Sequence, residues 1–377
     1  MPITITPLKP TRSELLRYVK FAINLYKDNS CYVPPLVIDE IATLSPDKNP
    51  AFDVCRAQSF MAYRDGKPVG RITGIINDLV NHKNNVKELR FGFVDFIDDA
   101  EVTDALFKAV ENWGKNNGMD TVIGPLGFSD MDHEGMLIEG FDEVGTMATI
   151  YNYPYYADHM VRMGFEKDID WVEYRLTVPD ALPEKYGRIA QIVKNKYNLR
   201  SVPLTSRKKV KEQYGKALFK LINEAYDNLY GFSPLTEKQI DYYVDQYLGL
   251  IRLDCVSVIV DQNDEIVAVG ISMPSLSEGL IKSRGKLFPT GWIHLLKALK
   301  GKTDVVDLLL VAVKPEYQNK GVNALIFADL VPAFIAAGYK EAESNPELEG
   351  NESVQKQWEY FTRRQHRKRR AWRKKIG

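Results

Sequence analysis

The sequence predicts an α/β (α+β) fold built from two tandem copies of one unit, and three observations predict it. The chain has 377 residues, more than one domain usually holds. Its hydrophobic patterns run helix, strand, strand, strand, helix, strand, and the same order recurs downstream. Each half also carries a hairpin turn, Asp65-Gly66 in the first and Asp261-Gln262-Asn263-Asp264 about 198 residues later.

The elements follow in order. Arg12 to Tyr26 lies behind a Thr/Ser cap and puts Leu15, Tyr18, Val19, Ala22, Ile23 and Tyr26 on one face, the period of a half-buried helix. Phe60 to Tyr63 and Val69 to Ile75 flank an Asp-Gly turn, a strong hairpin signal. Leu89 to Ile97 reads as a strand, Val102 to Trp113 as a helix and Thr121 to Gly124 as a short strand. In the second copy Lys216 to Leu229 is a helix, and Cys255 to Val260 with Ile266 to Ser272 forms the hairpin. Val305 to Val313 is an apolar run suited to a buried central strand, and Ala324 to Ala337 is the helix behind it. The expected domains are 1–178 and 205–377, joined by a proline-marked linker over 179–204 that can carry a short helix.

Composition excludes several classes. With 45% hydrophobic and 27% charged residues, the chain is neither disordered nor a membrane-embedded bundle. Fifty bases offset fifty acids, yet the charges segregate. Residues 91–180 hold 19 acids and 5 bases, residues 181–222 hold 11 bases and 2 acids, and residues 362–377 hold nine bases and no acid. Cys31, Cys55 and Cys255 form no C-x-x-C pair, so neither a disulfide framework nor a zinc site is expected. The first 20 residues lack the apolar run of a signal peptide, and no stretch reaches about 18 apolar residues. A cytoplasmic location follows, with a peripheral seat on the inner face of the membrane as an option.

The sharpest local feature is Leu308-Leu309-Leu310-Val311-Ala312-Val313-Lys314-Pro315-Glu316-Tyr317-Gln318-Asn319-Lys320-Gly321-Val322-Asn323-Ala324. It is an apolar strand, a turn, and a glycine at a helix entry, where unsatisfied N–H groups and the helix dipole favour a phosphate. The run resembles the acyl-CoA-binding loop of the GNAT superfamily of N-acyltransferases, with Gln318 and Gly321 at matching positions and Asn323 where Gly or Ala is usual. The resemblance implies two tandem GNAT-like domains, each a mixed, mostly antiparallel sheet flanked by helices. It also implies that Val311, Val313, Gln318, Asn319, Lys320, Gly321, Val322, Asn323, Ala324 and Asn351 bind the donor, acyl-CoA or acetyl-CoA. Glu343 and Asn351 fit the next strand and the start of the next helix. Trp358 stands where many members place the Tyr that reprotonates the CoA thiolate; indole has no titrating proton, and Tyr360 is the nearest phenol.

The first copy carries the acidic Ile97-Asp98-Asp99-Ala100-Glu101 at the corresponding turn, so no CoA site is expected there. It has instead a Gly-rich acidic stretch, Gly124 to Phe141, and Tyr151-Asn152-Tyr153-Pro154-Tyr155-Tyr156. These, with Tyr32 to Leu36 and Gly285 to Gly291, resemble a bacterial family of tandem GNAT-like proteins that includes bacterial ceramide synthases, over about Val33 to Lys375. That resemblance implies acyl transfer to an amine acceptor, small or lipid-like, long-chain or sphingoid in type, with Asn152, Tyr155 and Tyr156 at the acceptor. The alternative is a catalytically silent CoA- or lipid-binding protein. The carbonyl would be held by a backbone N–H between Leu310 and Val313, and the base is one of Asp307, Glu343, His133 or Glu134. His82, His159, His294 and His366 carry no marking pattern; no cluster has metal-ligand spacing, and no metal is expected.

Ile281 to Lys302 holds Lys282, Arg284, Lys286, Lys297, Lys300 and Lys302 without an acid, beside Trp292, Ile293, Leu295, Leu296 and Leu299. Such a stretch suits either packing on its own domain or the surface of an anionic membrane. The basic tail is expected to be a charged edge or near-edge strand rather than a nucleic-acid site.

Overall fold

A computed structural model of the chain describes residues 2–247, 251–300 and 303–377. The elements are β1 (Thr4–Pro7), α1 (Arg12–Leu25), α2 (Val37–Thr43), β2 (Cys55–Arg64), β3 (Lys67–Asn77), α3 (Asp78–Asn84), β4 (Glu88–Phe96), α4 (Ala100–Asn116), β5 (Thr121–Gly124), β6 (Met136–Glu139), α5 (Tyr155–Arg162) and β7 (Glu166–Thr177). They continue with α6 (Glu184–Tyr197), β8 (Arg200–Ser201), α7 (Arg207–Tyr226), α8 (Glu237–Tyr247), β9 (Val256–Val260), β10 (Ile266–Pro274), α9 (Ser277–Ser283) and α10 (Gly291–Leu299). The last are β11 (Val305–Val313), α11 (Asn323–Ala337), β12 (Glu341–Ser344), β13 (Glu347–Leu348), α12 (Glu352–Lys356) and β14 (Arg363–Lys375).

The chain forms two compact units, and neither is contiguous. Unit 1 takes Met1–Val172, Ser277–His294 and Arg367–Gly377; unit 2 takes Glu173–Leu276 and Leu295–His366. These contact units interleave along the chain, where the repeat gives the expectation of contiguous domains at 1–178 and 205–377. Periodicity reports which face of a strand is apolar and carries no information on which strand lies beside it.

Unit 1 orders its strands β1-β2-β3-β4-β5-β14-β7. Strands β4 and β5 pair in parallel, and β1–β2, β2–β3, β3–β4 and β5–β14 are antiparallel. The hairpin turn has Asp65 and Gly66 at φ 53° and 73°, the double positive-φ turn that Asp-Gly favours. Val102, Leu106, Phe107 and Val110 of α4 pack into one core cluster and Leu15, Tyr18 and Val19 of α1 into another.

The basic tail corrects an expectation. β14 is a central strand, paired to β5 through Trp372–Gly124 and to β6 through Arg370–Met136, and not an edge. Its charges are matched inside the unit: Arg370 Nε lies 2.7 Å from Asp170, Arg373 Nη2 2.7 Å from Glu88 and Lys374 Nζ 2.7 Å from Glu111. Arg367 and Arg369 are fully buried and donate to the carbonyls of Val144 and Ile150. A row of bases is tolerated at the centre of a sheet because the acidic segment of the same unit surrounds it.

Unit 2 orders its strands β7-β12-β11-β10-β9-β8, with β11 and β12 parallel and the other pairs antiparallel. Helix α11 buries Leu325, Ile326, Phe327, Leu330, Val331 and Phe334. It lies so close to β10 that a Cβ on Gly270 would come 2.4 Å from Ile326 Cγ2, and Gly70 meets Leu106 of α4 at 2.6 Å in the same way. Much of the expected linker is α6, which packs against the entry to α11.

Candidate active site

Strands β11 and β12 pair in parallel only from Val305–Glu341 to Leu308–Ser344. Beyond that point the Asn345 N–H donates to Leu308 O (3.2 Å) and its side-chain Nδ2 to Leu309 O (2.7 Å). Opposite, β10 shows a register shift between Ile271 and Ser272, so one residue of β11 is bulged out. The Lys314 N–H donates to Val267 O on β10, and by strand alternation Leu309, Val311 and Val313 face away from β10, into the opening. Their carbonyls confirm the direction: Asn345 Nδ2, Tyr226 Oη (2.9 Å) and Gln318 Nε2 (3.0 Å) donate to them in turn. The N–H groups of Val311 and Val313 point the same way. Leu308 to Val311 are half-buried, where a sealed central strand was expected, because the divergence of β12 uncovers them.

The turn after β11 bends through Asn319 and Gly321 at φ 58° and 79°, a left-handed conformation that glycine adopts without strain. A Cβ on Gly321 would meet Ile189 Cγ2 of α6 at 3.1 Å. Among the described residues no side chain caps α11, whose N-cap is Val322. The corresponding helix of unit 1 is capped by its own acid, Asp99 accepting from the N–H groups of Glu101 (2.9 Å) and Val102 (3.3 Å). One helix start is thus capped by a carboxylate, and the other carries no side-chain cap. Lys320 Nζ lies 5.5 Å and Lys196 Nζ 5.1 Å from the Tyr197 ring, so cationic groups flank the turn. The Asn323 side chain donates to Gln357 Oε1 (3.3 Å), Ala324 N–H donates to Gly321 O (3.0 Å), and Asn351 caps α12 by accepting from Val354 N (3.3 Å).

Asp307 and Glu343 are opposite each other in the register, one residue before the divergence, and both are buried. Glu343 Oε2 accepts from Arg175 Nη2 (2.7 Å), and its Oε1 lies 3.4 Å from His366 Nε2. Glu173, Glu343 and His366 bring one donor atom each within 4.8 Å of one another, a set that could hold a metal ion. Sequence spacing showed none of this, since the three come from three strands. Arg175 already supplies positive charge to Glu343. In unit 1 the pair Thr73–Gly92 beside the β3 register shift matches Ser272–Leu308 beside the β10 shift, so Phe91 occupies the place of Asp307.

His133 and Glu134 lie in unit 1. The His133 ring is 2.8 Å from Met147 O, and burial pulls its pKa down. Burial, helped by the negative charge of Asp130, pushes the Glu134 carboxyl well above the usual range. Asn152 clamps Leu137, accepting from its N–H (2.7 Å) and donating to its carbonyl (3.0 Å). Tyr155 Oη donates to Phe96 O (2.7 Å), while Tyr156 Oη accepts from Phe96 N (2.9 Å) and bonds to Tyr26 Oη (2.7 Å). The stretch around Tyr32 meets the tyrosine run, with Tyr32 and Tyr151 ring centroids 6.4 Å apart, and Val37 N–H donates to Gly285 O (2.9 Å). Three segments far apart in sequence therefore converge in unit 1. A broad groove lined by Ser201, Arg207, Arg252, Asp329 and Ala333 of unit 2 shares no residue with the turn or the buried carboxylates.

The chain matches no protein-family model. It is 30% identical over 324 residues to Protein YghO of Escherichia coli (strain K12), covering 85% of this chain and 82% of that protein. Over 367 residues it is 28% identical to a protein named Bacterial ceramide synthase from Caulobacter vibrioides (strain NA1000 / CB15N), covering 93% and 92%. A tandem GNAT protein from the clavulanic acid biosynthesis pathway shares the fold at TM-score 0.58 and 12% identity, covering 100% of this chain and 99% of that one. The chain belongs to the tandem GNAT-like bacterial family that includes the bacterial ceramide synthases. A GCN5-related N-acetyltransferase from Sphaerobacter thermophilus shares the fold at TM-score 0.52 and 10% identity, covering 99% and 96%. In this tandem GNAT-like protein, sequence reasoning missed Tyr226, Asn345, Arg175, Glu173 and His366. Only Asn345, in a Ser-Asn-Pro turn signal, left a trace that could have been read.

Proposed function

We propose that the protein is an acyl-CoA-dependent N-acyltransferase that joins an acyl group to a long-chain or sphingoid-type amine. The observation that carries this reading is the pairing, in unit 2, of a helix start without a side-chain cap and a central strand opened along Leu308 to Val311. The open helix start and flanking lysines suit a pyrophosphate, and the outward N–H groups of Val311 and Val313 suit a thioester carbonyl whose oxygen gains charge on attack. The amine nitrogen attacks that carbonyl, the C–S bond breaks, and one proton must pass from nitrogen to the departing sulfur. Asp307, Glu343, His133 and Glu134 remain the candidates to receive it.

The lipid-like acceptor is supported by the relative named Bacterial ceramide synthase and by α10. Leu295 and Ala298 point inward, but Trp292, Ile293 and Leu296 are 45%, 38% and 43% exposed, and Phe288 on the preceding loop is 78% exposed. Lys282, Arg284 and Lys286 are exposed beside them, and Lys302 lies outside the described residues. No described helix is long and apolar enough to cross a membrane. A basic, aromatic outer face suits contact with an anionic bilayer, where a long-chain amine resides.

The test is thiol release by purified protein given acyl-CoA donors of several lengths and a panel of amines including sphingoid bases. Free thiol with a long-chain pair, matched by the corresponding amide, is expected. Measurable CoA binding with no thiol from any pair would replace the enzyme by a silent binding protein.

A further inference from the structure

We propose that Glu347 is the acid that protonates the departing CoA sulfur, held in place by the indole N–H of Trp358. The inference rests on the acyl-transfer reading above. Glu347 lies two residues beyond Asn345, the side chain that marks where β12 leaves β11, on the short strand β13 that pairs with β7. Its Oε1 accepts from Trp358 Nε1 at 2.7 Å, while its Oε2 is sealed from solvent and has no hydrogen-bond partner. Trp358 is itself buried and stands against Phe327 of α11, their ring centroids 5.6 Å apart, four residues past the start of that helix. The neighbouring Gln357 is tied to Asn323 in the first turn of α11. The carboxyl thus lies on the segment that follows the divergence of β12 from β11, with one oxygen oriented by the indole and the other buried without a partner.

A sealed carboxyl oxygen with no partner is costly when ionised and is at ease when it carries a proton. Burial pushes Glu347 up to about 7, outweighing the Trp358 hydrogen bond and the charge of Arg363, both of which favour the ionised form. The other titratable group facing it is Tyr174, a phenol whose own pKa is raised by burial and by Glu347. A group near 7 can give its proton and recover it within one cycle at neutral pH. In the proposed step the C–S electron pair moves to sulfur, Glu347 gives its proton to that sulfur, and CoA leaves as the thiol. The carboxylate then takes up the proton released by the acylated nitrogen, directly or through solvent, and the cycle closes with no net change in charge.

The experiment compares wild type, Glu347→Gln and Trp358→Phe in three measurements: CoA affinity, kcat against pH, and indole fluorescence against pH. Glu347→Gln keeps the shape and an acceptor for the indole but has no acid proton. We expect its CoA affinity to stay within about twofold and its kcat to fall about 100-fold. The wild-type decline of kcat as pH rises through about 7 should disappear with it. A fluorescence change with the same midpoint should be present in wild type and absent from both variants. Wild-type turnover with an undiminished rate and unaltered pH profile in Glu347→Gln would overturn the assignment of Glu347 alone. Loss of CoA affinity together with rate would show a structural role and also overturn it. Wild type that turns over no donor and acceptor pair would remove both this assignment and the acyl-transfer reading.

Discussion

Asp170 shows how single residues reconcile the segregated charges. Its carboxyl is inaccessible, and burial alone would push its pKa up, yet hydrogen bonds from Arg370, Lys167 and Lys368 bring it down to about 2. The folded value is below the unfolded one, so the stabilisation is full above about 4 and is lost as pH falls from there towards 2. Asp170→Asn should lower stability at pH 7 by about 2 kcal/mol or more, because Arg370 keeps its burial and loses its partner. Urea midpoints of wild type and variant should differ at pH 7 and by clearly less at pH 2.5. A gap that persists unchanged at pH 2.5 would mean the carboxylate charge is not what stabilises β14. None of this was legible in the sequence. Arg370 and Asp170 are 200 residues apart, and a strand of alternating bases reads as solvated when its partners are distant.

The elements themselves were far more legible. Thr121–Gly124 and Val305–Val313 are the strands expected, and Asn323–Ala337 begins one residue earlier than expected, because each is set by local apolar period and by turn residues within a few positions. What could not be read was the effect of one element on its neighbour. The β11 run is apolar enough for a buried strand, and only the departure of β12 exposes its middle. Glu347 is an ordinary loop acid by sequence, and its environment is made by an indole 11 positions later. The contrast between the capped α4 and the uncapped α11 can be tested at the element scale by Asn323→Asp. A carboxylate in the first turn complements the helix dipole and repels a pyrophosphate. CoA should bind about tenfold more weakly in calorimetry while the melting temperature stays level or rises slightly. Undiminished CoA affinity would show that phosphate does not approach this helix start.

At the scale of the whole chain, a net charge of zero is the sum of large local terms that are largely spent. The nine tail bases include five, Lys368, Arg370, Arg373, Lys374 and Lys375, that lie in ion pairs with acids of unit 1, and two buried ones that donate to carbonyls. They are therefore not a free cationic surface. The bases around α10 differ in kind. Arg284 and Lys286 are exposed beside exposed aromatic side chains, and no acid occurs between Ile281 and Lys302. Charge of this sort would attract an anionic surface over a Debye length, and the exposed Phe and Trp would then insert and hold it, each stage with its own signature. Phe288→Ser with Trp292→Ser should cut co-sedimentation with phosphatidylglycerol vesicles at least about tenfold at every salt concentration. Arg284→Gln with Lys286→Gln should weaken binding chiefly at low salt. Because both pairs are exposed, circular dichroism and CoA affinity should be unchanged. Equal binding of the Phe288/Trp292 variant and wild type would leave the outer face of α10 without a membrane role, and the acceptor amine would then have to reach the protein from solution.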